Sequence, residues 1–166
     1  RMVRIVAPPT IKPTELQLAV PLADMTTFDE PEEGGPRRAS IWPAVEQSIL
    51  GLIEEHTSTI VFTNSRRVCE RLSSRLNELA SDEASGFTGA EAQGAPPVGV
   101  ELVKAHHGSL SRERRLLIED ELKSGRLKGL VATSSLELGI DMGAVDLVIQ
   151  VESPGAVSRG LQRIGR

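Results

Sequence analysis

Aromatic side chains are scarce in this sequence: three Phe, one Trp and no Tyr, 2% of 166 residues. Modules that stack bases or sugars on aromatic platforms have little to build with, which disfavours RRM-like folds and aromatic-rich carbohydrate binders. The single cysteine, Cys69, excludes an intrachain disulfide, and no CxxC or Cys/His ladder offers zinc ligands. Base is not in surplus either. Nineteen Lys and Arg stand against 23 Asp and Glu, a net charge of −4, so any contact with nucleic acid or anionic lipid must be local. No apolar run approaches the ~18 residues of a membrane span, and the opening RMVRIVAPPT lacks a signal-peptide core. These absences predict a cytoplasmic protein with a reduced thiol, no membrane and no bound metal. A phosphate loop of the form G-x-x-x-x-G-K-[ST] is also missing, so the chain does not by itself cradle a triphosphate.

What remains is ample for a core: 39% of the residues are hydrophobic, and the length fits one domain over 1–166. Alternation in ELQLAVPL (15–22) predicts an entering strand, and DMTTFDEPEEGGPRR then reads as a solvated acidic linker, so 1–40 precedes the main fold. Trp42, Val45, Ile49, Leu52 and Ile53 recur at helical spacing behind Ser40 as N-cap. TIVFT (59–63) reads as a strand covered on both faces, and Ser65 opens a helix with Val68, Leu72, Leu76 and Leu79 on one side. Small and acidic residues over 81–98 predict a flexible surface loop. VELVKA (100–105), GLVAT (129–133) and VDLVIQV (145–151) are further strands. Helices are expected over 111–125, with a glycine stop, and from about Ala156 onward. Strand and helix alternate, which implies an α/β fold with an open parallel sheet and right-handed crossovers.

Ligands of such sheets sit beyond the carboxyl ends of the strands. The segments that follow the strands are Asn64-Ser65-Arg66, His106-His107-Gly108-Ser109, Ser134-Ser135 and Glu152-Ser153-Pro154-Gly155. Hydroxyls, small residues, scattered bases and helix N-termini suit a phosphate backbone, although each segment alone would pass as ordinary capping chemistry. His106 and His107 make a poor metal pair without further ligands, and Cys69 reads as a small core residue. A DEAS tetrapeptide at Asp82–Ser85 has no buried strand before it and reads as coincidence.

Four segments in order carry a family resemblance. IVFTNSRR resembles motif IV of superfamily 2 helicases, VKAHHGSLSRERR the His-Gly motif that follows it, VATSSLELGIDMG motif V, and QRIGR the first half of motif VI. Over about residues 41–166 the chain is similar to the second RecA-like domain of these motors. The wording is nearest to the large helicase-related (Lhr) family. The resemblance implies a P-loop NTPase-type sheet lacking its own Walker A loop, paired with an N-terminal RecA-like domain that holds most of ATP and Mg2+. It further implies that Arg166 is an arginine finger and that Arg163 ties this lobe to the acidic Walker B box of the other. Gly139, Asp141 and Gln162 would line the nucleotide. Thr63, Asn64, Arg66, His107, Gly108, Thr133 and Ser134 would grip the strand backbone.

The function so implied is ATP-dependent movement on single-stranded DNA, unwinding DNA or RNA:DNA hybrids. One rival is a DEAD-box-like RNA helicase lobe, against which Gln162 counts, because those proteins usually carry His there. The other is a non-catalytic RecA-like module that binds nucleic acid or a partner. QRIGR ends the sequence where the helicase motif would continue, which leads to the expectation of a larger protein.

Overall fold

The computed structural model describes residues 15–21, 40–86, 101–136 and 145–164. Helix α1 (Trp42–Glu55) comes first, then strand β1 (Thr59–Phe62) and helix α2 (Arg66–Gly86). Next are β2 (Val103–His106), α3 (Arg112–Lys123), β3 (Gly129–Ala132), a 3-10 turn (Ser134–Leu136), β4 (Leu147–Gln150) and α4 (Val157–Ile164). The four strands form one parallel sheet in the order β2-β3-β1-β4, as the alternation predicts.

The two faces of the sheet pack against two separate cores. Val61, Val103 and Val131 meet Ile49, Leu50 and Ile53 of α1 and Cys69, Leu72 and Leu76 of α2. Ile60, Phe62, Leu130 and Ala132 meet Ile118 and Leu122 of α3. A sheet buried on both sides needs continuous apolar strands, which is what TIVF and GLVA supply. Gly129 sits where the neighbouring strand and α1 leave little room for a side chain. A Cβ there would lie 3.2 Å from Val103 Cγ2 and 3.3 Å from two carbons of Ile53.

Local chemistry fixes the helix ends. Ser111 caps α3 by accepting the Arg114 N–H at 3.3 Å. Gly125 then takes a left-handed φ of 73° just past its C-terminus, a conformation open to glycine at little cost. Asn77 of α2 makes two bonds to one residue of β2, donating Nδ2–H to the Val103 carbonyl (2.9 Å) and accepting the Val103 N–H (3.0 Å).

Several expectations are corrected. Residues 15–20 form no strand, and Leu16 and Leu18 stand 81% and 92% exposed. Alternation alone does not make a strand when no sheet edge receives it. The N-cap of α1 is Ile41, although Ser40 Oγ still accepts the Trp42 N–H at 3.3 Å. The buried stripe of α2 runs through Cys69, Leu72, Leu76 and Ala80, while Val68 and Leu79 are half-buried. The same helix continues past the expected loop start to Gly86, carrying the DEAS tetrapeptide with it. Ser81 supports the extra turn by donating its hydroxyl to the Asn77 carbonyl at 2.8 Å. The rest of the expected loop, 87–98, lies outside the described residues.

Candidate functional site

Register brings the motif segments together. Phe62 is level with Ala132 and Gln150, and Ala132 with His106, so all four strands end along one line. Cross-strand bonds carry the alignment one residue further. The N–H of Thr63 donates to the Ala132 carbonyl (2.8 Å), that of Thr133 to His106 (3.1 Å) and that of Val151 to Phe62 (3.1 Å). Thr63, His107, Thr133 and Val151 thus begin the four loops of a single rim.

The expected strand-gripping residues differ in what they offer there. Ser134 and Gly108 are exposed, and nothing lies within 4 Å of where a Cβ would stand on Gly108. Backbone can therefore approach another chain closely at Gly108. Thr133 is half-buried. Thr63 is fully buried and turns its hydroxyl inward, toward the carbonyls of Ser65 (3.3 Å) and Ala132 (3.5 Å). Arg66 is exposed, and its Nε donates to Glu70 at 2.9 Å. The guanidinium holds the Glu70 carboxyl below the usual carboxylate range, with a smaller contribution from His107. His107 is buried, with Nε2 3.1 Å from Glu70 and with no hydrogen-bond partner for Nδ1 among the described residues.

Asn64 engages its N–H and both ends of its side-chain amide. Its N–H donates to the Glu152 carboxylate (3.1 Å), its Nδ2–H to the Ser153 carbonyl (2.7 Å), and its Oδ1 faces Arg163 Nη1 at 3.4 Å. Arg163 itself is 2% exposed. Its Nη1 donates to Gln150 Oε1 at 3.0 Å, and its guanidinium carbon lies 5.0 Å from the centre of the Phe62 ring. Arg163 is expected to tie this lobe to another, and within this lobe its guanidinium meets Gln150, Asn64 and the Phe62 ring. Gln162, one position earlier on α4, is exposed. Arg166, Gly139 and Asp141 lie outside the described residues.

Two buried groups at the rim play structural parts. His106 Nε2 lies 3.0 Å from Glu119 Oε1 of α3, and burial pushes the imidazole pKa down against the opposing pull of Glu119. Cys69 donates its thiol to the Val131 carbonyl (3.0 Å), and burial raises its pKa to about 11, as suits an inert core residue. Among the described residues, no three metal-ligating side chains come together, and no helix is long and apolar enough to cross a membrane.

Sequence reasoning placed Glu152 only within the segment after the last strand and missed Gln150, Glu70 and Glu119. Gln150 carried a signal, being a polar residue near the carboxyl end of the strand read over 145–151. Glu70 carried another, four residues after Arg66 on a helix.

A parallel sheet lacking a phosphate loop, with the described parts of these four motifs along its carboxyl rim, defines a RecA-like helicase C-terminal lobe. The chain belongs to the helicase conserved C-terminal domain family, whose profile matches residues 44–166. Within that family it is similar to Lhr proteins. It is 51% identical over 180 residues to the Lhr helicase/probable uracil glycosylase of Mycolicibacterium smegmatis, covering 98% of this chain and 11% of that protein. It is 39% identical to the ATP-dependent helicase Lhr-Core of Saccharolobus solfataricus, covering 100% of this chain and 17% of the relative. The solved Mycobacterium smegmatis helicase Lhr bound to ssDNA and AMP-PNP superimposes with a TM-score of 0.72 at 56% identity, over 89% of this chain and 17% of that one. The chain therefore spans 11–17% of the length of these relatives.

Proposed function

We propose that the chain is the second motor lobe of an Lhr-like, ATP-dependent helicase that moves along single-stranded DNA and opens DNA or RNA:DNA duplexes. The observation that carries this reading is the gathering of motif IV, His-Gly, motif V and motif VI segments along one sheet rim in a member of the helicase C-terminal family. Support for a DNA strand and an adenine nucleotide comes from the Lhr relative solved with both.

In this reading the rim is the track. Gly108 admits the strand backbone closely, and Thr133 and Ser134 offer hydroxyls to phosphate. Arg66 offers a guanidinium once it parts from Glu70. His107 and Thr63 act from beneath, shaping the loops that carry those groups. ATP and Mg2+ would be held mainly by an N-terminal RecA-like lobe, because no phosphate loop is present here. The exposed amide of Gln162 fits one wall of such a site, and Gly139, Asp141 and Arg166 would complete it. ATP supplies phosphoryl-transfer energy, and Arg166 would stabilise the charge that develops on the transferred group. Because strand affinity is coupled to nucleotide state, closing and opening of the lobes becomes stepping.

Arg166→Ala in the full-length protein tests the assignment. DNA-stimulated ATP turnover should fall by about 10³ or more. Undiminished turnover would remove Arg166 from the site. Stimulation by single-stranded DNA well above that by RNA is expected, and the reverse would favour an RNA helicase lobe.

A further inference from the structure

The polar cluster around Arg163 joins the two sides of the rim. Asn64 belongs to the loop after β1, on the side assigned to the strand. Arg163 belongs to α4, which carries the nucleotide-side residue Gln162 and leads to Arg166. The two are 99 residues apart in sequence and meet at 3.4 Å. Gln150, the last residue of β4 and a member of none of the four motifs, accepts from the same Arg163 nitrogen.

We propose that Gln150 is a positioning residue for motif VI, holding Arg163 so that α4 and the loop after β1 shift as one body when strand or nucleotide binds. The orientation of the amides supports this. Asn64 must point Nδ2 at the Ser153 carbonyl to make its 2.7 Å bond, which leaves Oδ1 toward Arg163. Gln150 Oε1 then supplies the shorter contact to the same Nη1, at 3.0 Å. Phe62 sets the plane against which the guanidinium lies. Three consecutive levels of structure, β1, its loop and β4, thus converge on one guanidinium that is 2% exposed. A buried hydrogen-bonded cation has few alternative seats, because leaving one donor without a partner there is costly. The cluster therefore behaves as a rigid joint, and losing one acceptor loosens it.

The proposal rests on the motor reading above, and its test separates the two. In the full-length protein, Gln150→Met keeps side-chain length and removes the acceptor. Maximal DNA-stimulated ATP turnover should fall about tenfold, since small misplacement of a catalytic helix is expensive. The KM for ATP and the Kd for single-stranded DNA without nucleotide should stay within about twofold. Gln150→Glu restores an oxygen acceptor at the same reach and should keep turnover within about threefold of the parent. A role in packing alone predicts the opposite order, with Met neutral and Glu harmful. Either that order or equal loss in both variants would overturn the proposal. If Gln150→Met does not fold, Gln150→Asn, whose amide stops one carbon short, carries the same expectation, and undiminished turnover there overturns it as well. Arg163→Ala is the control for the underlying reading. Full turnover in Arg163→Ala would sink the motif VI assignment itself, whereas loss there with none in Gln150→Met would sink only the positioning role.

Discussion

In the body of the sheet, Val61, Val103, Val131 and Leu130 are fully buried in contacts that any aliphatic side chain of similar volume could make. At its rim, Asn64, Gln150 and Arg163 hold one another through directional bonds that span 99 and 13 residues of sequence. Packing in the body is dense and tolerant of chemistry. Bonding at the rim is sparse and tolerant of little. The contrast predicts two kinds of damage: body substitutions should cost stability, and rim substitutions should cost the coupling of strand to nucleotide that the proposed function assigns to the rim.

The largest effect on stability should come from the body. Leu76→Ala removes a fully buried side chain between α2 and the sheet and should lower the unfolding free energy by about 2–5 kcal/mol in a denaturant titration. A loss under about 1 kcal/mol would mean that α2 does not pack as described. At the rim, Thr133→Val keeps the shape and removes a hydroxyl. Strand affinity should fall on the order of fivefold, the value of about one hydrogen bond, with nucleotide affinity largely kept. If Thr133→Val instead destabilised the fold as much as Leu76→Ala, the division between body and rim would collapse. Gly125→Ala asks whether a helix end behaves as body or rim. Its φ of 73° should cost about 1 kcal/mol in stability, with strand binding unmoved.

The smallest effect lies at the seam between the two regions, where His106 faces Glu119. Burial holds the folded His106 pKa below its usual value, so between the folded pKa and about 6.5 the unfolded chain binds more protons. Stability present above about pH 6.5 should therefore be lost as pH falls toward the folded pKa. His106→Gln should flatten that limb of a Tm-against-pH curve. The Glu70 and Asp146 carboxyls, lowered by Arg66 and Thr57 respectively, contribute only in a more acid window, below their ordinary carboxylate pKa values. A limb of unchanged slope in His106→Gln would place the proton uptake elsewhere.

Legibility in the sequence follows the same division. TIVF and GLVA are strands because continuous β-branched and aliphatic runs have few other stable settings, and Ser111 and Gly125 bracket α3 by local geometry alone. Order and spacing of the motifs also sufficed for the family. The failures needed information from remote residues. Whether 15–20 is a strand depends on an edge to receive it. Whether the stripe on α2 passes through Val68 or Cys69 depends on the angle at which that helix meets β2 and β3. That Arg163 is buried could not be read from QRIGR, because its acceptors sit at positions 64 and 150. Helix propensity in 81–86 was outweighed, in the sequence, by the small and acidic residues after it.

Asn77 has a consequence beyond holding α2 to the sheet. β2 is the outermost strand on its side among the described residues, and both main-chain groups of Val103 are already bonded to the Asn77 amide. One side chain thus occupies a position where a stray β-strand would begin to pair. With both groups engaged, a strand adding at Val103 finds no open main-chain donor or acceptor there, which removes one seed for sheet-to-sheet aggregation.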